Sequence, residues 1–288
     1  MKVQLILEGG GMRGVYTAGV LDFFMEKGIK FLNVIGVSSG ACNAVSYKSW
    51  QHKRNIEIYV DYAHDERYCS IRSLLRHGNI FGFDFIFNVL PKEIVPFDYH
   101  AFNKSPITVE VVVTNIVTGL PEYYPINDMD EDLPYLRASC SIPALSRIVS
   151  YQGKKMLDGS VVDSIPVKYS IESGYEKQVV VLTRAAGYRK KRMRSMRMAR
   201  VRYPRYPKLA AALRNRYARY NRTLELINAL EAENKIFVIR PARAVTVGRF
   251  EKDREKLMEL YNQGYNDVKD RYDELLGFIA DVENVIIE

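Results

Sequence analysis

The first fifty residues alternate short apolar runs with longer stretches at helical spacing. Val3–Leu7 is compact, apolar and closed by glycines, the pattern of a strand buried on both faces. From Val15 to Lys27 the residues Val20, Phe23 and Phe24 recur at helical spacing, and the pattern stops at Gly28, which suits a C-terminal cap. Asn33–Val37 is a second buried run. Ser39 to about Trp50, rich in small residues, reads as a helix packed closely on a sheet. Strand, turn and helix in alternation predict a parallel sheet with crossover helices.

Further along, Arg54 to Phe102 is less regular. It carries the aromatic run Ile80 to Phe87 and the pair Pro91 and Pro96, and reads as helix and loop laid over one end of the sheet. Ile107–Val113 predicts a strand that turns at Thr118-Gly119 into a second extended run, Leu120–Ile126. Tyr135–Ser141 predicts a short helix stopped by Pro143, and Tyr151–Leu157 a hairpin. Val179–Leu182 and Ile236–Ile239 are two more buried strands, and two helices, about 250–262 and 265–280, close the pattern. With no internal repeat and no linker, residues 1–288 read as one domain.

Composition changes little in this picture, since 47% hydrophobic and 26% charged residues are ordinary for a globular protein. No apolar stretch reaches transmembrane length. The segment Met1–Glu8 is too short and too soon acidic for a signal peptide and is expected to be a buried first strand. Cys42, Cys69 and Cys140 have neither metal-ligand nor disulfide spacing, which predicts reduced thiols in a cytoplasmic protein. Charge changes the picture more. The chain is +8 overall, yet Arg184 to Arg222 holds 15 Lys and Arg with no Asp or Glu. The remaining 27 basic residues face 34 acidic ones, a net of −7, so one segment makes an acidic protein basic.

Two glycine-framed turns carry the candidate chemistry. Gly36-Val37-Ser38-Ser39-Gly40 has the G-x-S-x-G pattern, in which a serine sits on a strained turn between strand and helix with its hydroxyl pushed out. The bland alternative makes Ser38 a helix N-cap. Gly9-Gly10-Gly11-Met12-Arg13-Gly14 also satisfies the dinucleotide fingerprint G-x-G-x-x-G. That reading needs an acidic residue at the end of the second strand, about 20 residues on, to hold the ribose. Val37-Ser38 has none beside it, while Asp22 and Glu26 fall within the intervening helix. Glycine N–H groups at a helix start can bind any oxyanion instead, and Arg13 strengthens that field.

A base for Ser38 is harder to find. The four histidines are His52, His64, His77 and His100, so a catalytic histidine on a late strand is impossible. A carboxylate bonded directly to the serine remains, and Asp158, in Met156-Leu157-Asp158-Gly159-Ser160, is the best candidate beside its plainer reading as an Asp-Gly turn.

The ordered set of Gly9–Gly14, Gly36–Gly40 and Asp158-Gly159-Ser160 resembles the patatin-like phospholipase family, in particular its bacterial members. Val113–Gly119, Ala138–Pro143 and Asp163–Val167 extend the resemblance over residues 1–183 plus the late strand at 236–240. The resemblance implies a three-layer α/β/α sandwich with a mainly parallel central sheet. It also implies hydrolysis of lipid acyl esters by a Ser–Asp dyad, with Ser38 as nucleophile and Asp158 as base, without metal or cofactor. Gly10 and Gly11, with Arg13 nearby, would form the oxyanion hole. One departure is Ser160, where the family usually has Gly or Ala, and whose hydroxyl could bond to Asp158.

Outside that core lie a basic helical insertion, about 184–232, and the C-terminal helices, about 250–280. In the insertion Leu209, Leu213, Tyr217, Tyr220 and Leu224 mark one face of a helix, with Arg214, Arg216, Arg219 and Arg222 largely around the rest. A basic amphipathic helix suits an anionic lipid surface. Nucleic acid is the rival partner, a solvated arm the plain alternative. The expectation is a cytoplasmic serine acyl hydrolase of phospholipase A or lysophospholipase type, making peripheral contact at the inner membrane surface. A lipid acyltransferase and a basic nucleic-acid-binding protein are the alternatives.

Overall fold

The computed structural model describes residues 1–192 and 201–288. The part of the basic run that includes Arg194, Arg197 and Arg200 lies outside the described residues.

Five strands run parallel: β1 (Val3–Leu7), β3 (Asn33–Gly36), β4 (Thr108–Asn115), β8 (Lys177–Val181) and β9 (Ile236–Ile239). β5 (Leu120–Pro125) returns antiparallel along one edge of β4, and β7 (Lys154–Asp158) lies antiparallel on the end of the other, followed outward by β6 (Val149–Tyr151). The order across the sheet is β6-β7-β4-β3-β1-β8-β9. β2 (Ile29–Phe31) pairs with β10 (Val285–Ile287) in a separate small sheet.

Side chains of β1 alternate between two cores, as the strand period of two requires. Val3, Leu5 and Leu7 enter one core, Ile6 the other, and all four are fully buried. Burying each such side chain contributes about 1.5–3 kcal/mol. The first core is roofed by α1 (Gly14–Glu26), α2 (Ser39–Lys48) and α9 (Arg254–Lys269), the second by α7 (Val167–Glu172) and α8 (Pro207–Ala232). The result is a three-layer α/β/α sandwich with a mainly parallel sheet.

The elements follow the hydrophobic pattern closely. Gly28 does follow the end of α1 at φ +66. The irregular region from Arg54 to Phe102 becomes α3 (Arg54–Asp61), α4 (Ile71–His77), a π-helix over Phe85–Ile94 and α5 (Tyr99–Lys104). The short helix α6 (Leu133–Ser139) starts two residues early because Pro134 sits in its first turn, where a missing N–H costs nothing. One boundary is corrected. The expected break near 262–265 is absent, because α9 continues to Lys269 before α10 (Tyr272–Ile279) begins. Gly264 lies inside α9, where α1 comes so close that a Cβ would stand 2.1 Å from the Tyr16 carbonyl oxygen.

Candidate active site

Ser38 follows β3 and precedes α2, with φ +55 and ψ −122. A non-glycine residue in this region stores about 1–3 kcal/mol of strain, which surrounding bonds must offset. Here the Ser38 N–H donates to Ser139 Oγ at 2.9 Å, and its carbonyl accepts from the Ala41 and Cys42 N–H groups at 2.9 and 3.2 Å. Gly40 permits the tight turn, since a Cβ there would lie 2.3 Å from the Leu7 carbonyl oxygen. Ser38 occupies the N-cap position of α2, but its side chain makes no capping hydrogen bond, so the hydroxyl is not spent on the helix.

The first glycine turn lies alongside. Gly10 N–H donates to Ser39 Oγ at 2.8 Å, so one expected oxyanion donor is already engaged. Gly11, at φ +60, has no acceptor for its N–H among the described residues. Met12 N–H donates to the Arg249 carbonyl at 3.1 Å, which ties the turn to the segment before α9. Arg13 is buried and its Nε has no partner among the described residues. Burial first, and then the charge of Arg184, lowers its pKa to about 10.

Asp158 ends β7 opposite Val113 and is 3% exposed. Its N–H donates to the Ser141 carbonyl at 2.8 Å, and its carbonyl accepts from Thr114 Oγ1 at 2.7 Å. Gly159 allows this packing, because a Cβ there would meet the Val112 carbonyl at 2.2 Å. Asp158 Oδ1 accepts from the Ser160 N–H at 2.7 Å. The Ser160 hydroxyl does not bond to Asp158, contrary to expectation. It accepts from Arg216 Nη2 at 2.7 Å, and the Ser160 carbonyl accepts from Arg216 Nε at 2.7 Å.

Two cavities meet at Ser38 and Gly11, which line both. One, of about 150 Å³, is lined mainly by apolar side chains such as Ile58, Phe83, Phe87, Phe97 and Leu136. Much of its wall comes from the region between Arg54 and Phe102. The other, of about 290 Å³, holds Arg13, Asp158, Lys190 and Arg216. Among the expected site residues, Ser38, Asp158, Gly10, Gly11 and Arg13 thus share one cavity, with Gly9 beside them. Gly14 and Gly36 pack behind the turns, where a Cβ would strike Tyr59 and Ala41 respectively. His52, His64, His77 and His100 are all exposed, and none lines either cavity. Cys42 and Cys140 meet at 3.5 Å between sulfurs on the apolar side.

The sequence reading missed Glu8, Lys190, Arg216 and Arg249. Glu8 is buried after β1 and accepts from Tyr220 Oη at 2.7 Å and the Thr183 N–H at 2.7 Å. The acid-free run from Arg184 to Arg222 signalled Lys190 and Arg216, but as outward charge. For Arg249 the sequence carries no signal.

A strained serine elbow beside a glycine turn, at the carboxyl ends of parallel strands, defines an α/β/α protein of the G-x-S-x-G class. The chain belongs to the patatin-like phospholipase family, whose model matches residues 5–171. A second model, described as a domain of unknown function (DUF6363), matches residues 206–280. Among curated proteins, YjjU of Escherichia coli K12 is 26% identical over 196 residues, 63% of this chain and 52% of its own length. Probable lipid hydrolase 463L of Invertebrate iridescent virus 6 is 28% identical over 192 residues, 58% of this chain and 63% of its own. Lysophospholipase nte1 of Aspergillus terreus is 26% identical over 174 residues, 58% of this chain and 11% of its own. The chain therefore spans less than two thirds of each of these relatives. Among solved structures, VipD from Legionella pneumophila aligns with a TM-score of 0.46 at 16% identity, covering 95% of this chain and 67% of that one.

Proposed function

We propose that the protein is a serine acyl hydrolase acting on lipid esters through a Ser38–Asp158 dyad. The observation that carries this reading is the position of Ser38. It stands on a strained elbow at the seam of an apolar cavity and a polar one, and Asp158 lines the polar one. An amphiphile fits such a seam with its acyl chain on one side and its head on the other. Relatives described as a lysophospholipase and a probable lipid hydrolase support the same substrate class.

In this reading Ser38 Oγ attacks the ester carbonyl carbon while Asp158 takes its proton. The Gly11 N–H and Arg13 stabilise the oxyanion, joined by the Gly10 N–H when Ser39 Oγ releases it. The C–O bond to the leaving alcohol breaks, and that oxygen takes the proton from Asp158. Water then attacks the acyl-enzyme, gives its proton to Asp158 and frees the fatty acid, and Ser38 Oγ recovers the proton. Contact with an anionic membrane surface, through exposed cations of the Arg184–Arg222 segment, would bring the seam to its substrate.

Ser38→Ala should lower hydrolysis of a p-nitrophenyl ester by about 1,000-fold or more with the fold intact by circular dichroism. Asp158→Asn should lower kcat comparably, because an amide cannot take the proton. A fluorophosphonate should label Ser38 in the wild type. Labelling at another serine, or a loss as severe from replacing one of the four histidines, refutes the dyad.

A further inference from the structure

The polar cavity is far more cationic than ester cleavage requires. Arg13, Arg184, Lys190, Arg216 and Arg249 all line it, against only two carboxylates, Glu8 and Asp158. None of the five forms an ion pair among the described residues. Glu8 is committed to Tyr220 and Thr183, and Asp158, which accepts from the Ser160 N–H, shares the cavity with Ser38 as its proposed base. With every one of these groups charged the cavity would hold three positive charges in excess, a state that is costly in a partly enclosed space unless an anion enters.

Three of the cations are held in place by something other than an anion. Arg216 is fixed by the two bonds from Nε and Nη2 to Ser160, and its other guanidinium N–H groups have no acceptor among the described residues. Lys190 is clamped through its backbone, whose N–H donates to Asn221 Oδ1 at 2.8 Å and whose carbonyl accepts from Asn221 Nδ2 at 3.1 Å. Its Nζ rests over the Tyr220 ring, 3.7 Å from the centroid. Arg184 stacks on Tyr188 at 4.6 Å. Burial, and then the Arg216 charge, lowers Lys190 to about 6. An anion in the cavity would offset both the burial and the neighbouring charge and favour the protonated form of Lys190.

We infer that this cavity is a headgroup subsite for the phosphate of an anionic lipid, best a terminal phosphomonoester of the phosphatidate type, with Arg216 and Lys190 as its specificity-determining residues. The lipid part of this inference rests on the hydrolase reading above. A phosphomonoester carries close to two negative charges at neutral pH and three acceptor oxygens. Arginine and lysine recognise it by charge-assisted bonds. Among the described residues no uncommitted carboxylate lines the cavity to receive a choline or ethanolamine ammonium, so a zwitterionic head would place its cation among cations. Ser160 has the position of a strap. It occupies the place where the family usually has Gly or Ala, keeps its N–H on Asp158, and uses its two oxygens to aim Arg216.

Binding to Ser38→Ala protein, which cannot turn substrate over, tests the inference apart from catalysis. Calorimetry would compare dihexanoyl phosphatidate with dihexanoyl phosphatidylcholine, both below their micelle concentrations. Phosphatidate should bind about 30-fold tighter or better. Adding Arg216→Met or Lys190→Met should remove most of that gap, and Ser160→Ala part of it, with folding confirmed by thermal melting. Ser160→Ala retains the backbone bond to Asp158, so it remains informative if Arg216→Met fails to fold. Equal affinity for the two lipids overturns the inference. So does Arg216-dependent binding of inorganic phosphate without any preference between lipids, which would mark a free-phosphate site. Should wild-type protein show no Ser38-dependent ester cleavage, the hydrolase reading falls, while the headgroup preference is still decided by the Ser38→Ala measurement.

Discussion

Asp163 shows how one buried carboxyl sets a pH dependence. It accepts from Tyr123 Oη at 2.9 Å, and burial pushes its pKa up from 3.8 to about 6 despite that bond. Between these values the folded protein binds more protons at Asp163 than the unfolded chain does. Stability from this group is therefore greatest below about pH 4 and declines as pH rises through about 6. Asp163→Asn, which keeps an oxygen to accept from Tyr123, should raise stability above pH 6 by about 1–2 kcal/mol and little at pH 4. That is less than the whole shift implies, because the residue retains some solvent contact. Urea titrations of both proteins at the two pH values would measure it, and an equal effect at both refutes it. At this scale the sequence pointed to Ser38 and Asp158 through their local motifs, and the two line one cavity. It did not disclose Arg216, since a charged residue on a helix gives no sign of which neighbour it will reach.

Among the elements, α1 and α9 meet through two glycines. A Cβ on Gly19 would lie 2.2 Å from the Tyr261 carbonyl oxygen, just as one on Gly264 would strike Tyr16. Hydrogen bonds cross the same seam, from Tyr261 Oη to Asp22 at 2.8 Å and from Tyr16 Oη to Asp267 at 2.9 Å. Gly264→Ala should cost about 2–3 kcal/mol by overpacking, lowering the melting temperature by about 4 °C. Gly277→Ala in α10 meets nothing within 4 Å and should be neutral or stabilising by up to about 1 kcal/mol. Similar melting shifts for the two variants would contradict this account.

The same seam explains the misplaced break in the terminal helices. A glycine reads as a helix end in sequence, while its use as a contact depends on a partner some 250 residues away. The strands of the parallel sheet were legible because burial on both faces leaves uninterrupted apolar runs such as Val3–Leu7. The β2–β10 pair was not. Its strands have three residues each, too few for any period to show, and they come from opposite ends of the chain. The π-helix over Phe85–Ile94 contains Pro91, which reads locally as a helix breaker.

Taken whole, the molecule divides its charge between an interior and an exterior population. The apolar face expected on the basic helix exists, but it packs inward. Leu209 and Tyr220 are buried and Leu213, Tyr217 and Leu224 half-buried, so α8 has no broad apolar side left for lipid. Lys190 and Arg216 turn into the cavity, and Arg189 pairs with Glu225 at 2.6 Å. Lys191, Arg192, Arg202 and Arg205 are exposed. Changing these four to Gln should weaken binding to anionic vesicles about tenfold or more, an effect that shrinks as salt shortens the Debye length. Vesicle sedimentation at low and high salt measures it. Binding indifferent to both the changes and the salt refutes membrane contact by this segment.

Neighbouring parallel strands cannot be joined by a tight turn, so the chain leaving β8 must travel back across the sheet before it can enter β9. Here the obligatory return contains α8 and delivers Lys190 and Arg216 beside Asp158. Strand register is fixed by β1, β8 and β9 themselves, which leaves the length and charge of this connection free to vary. On the reading proposed above, reaction and much of the discrimination fall to different stretches of one chain, and a designer could alter the pocket by redrafting residues 183–235 while leaving Ser38 and Asp158 in place.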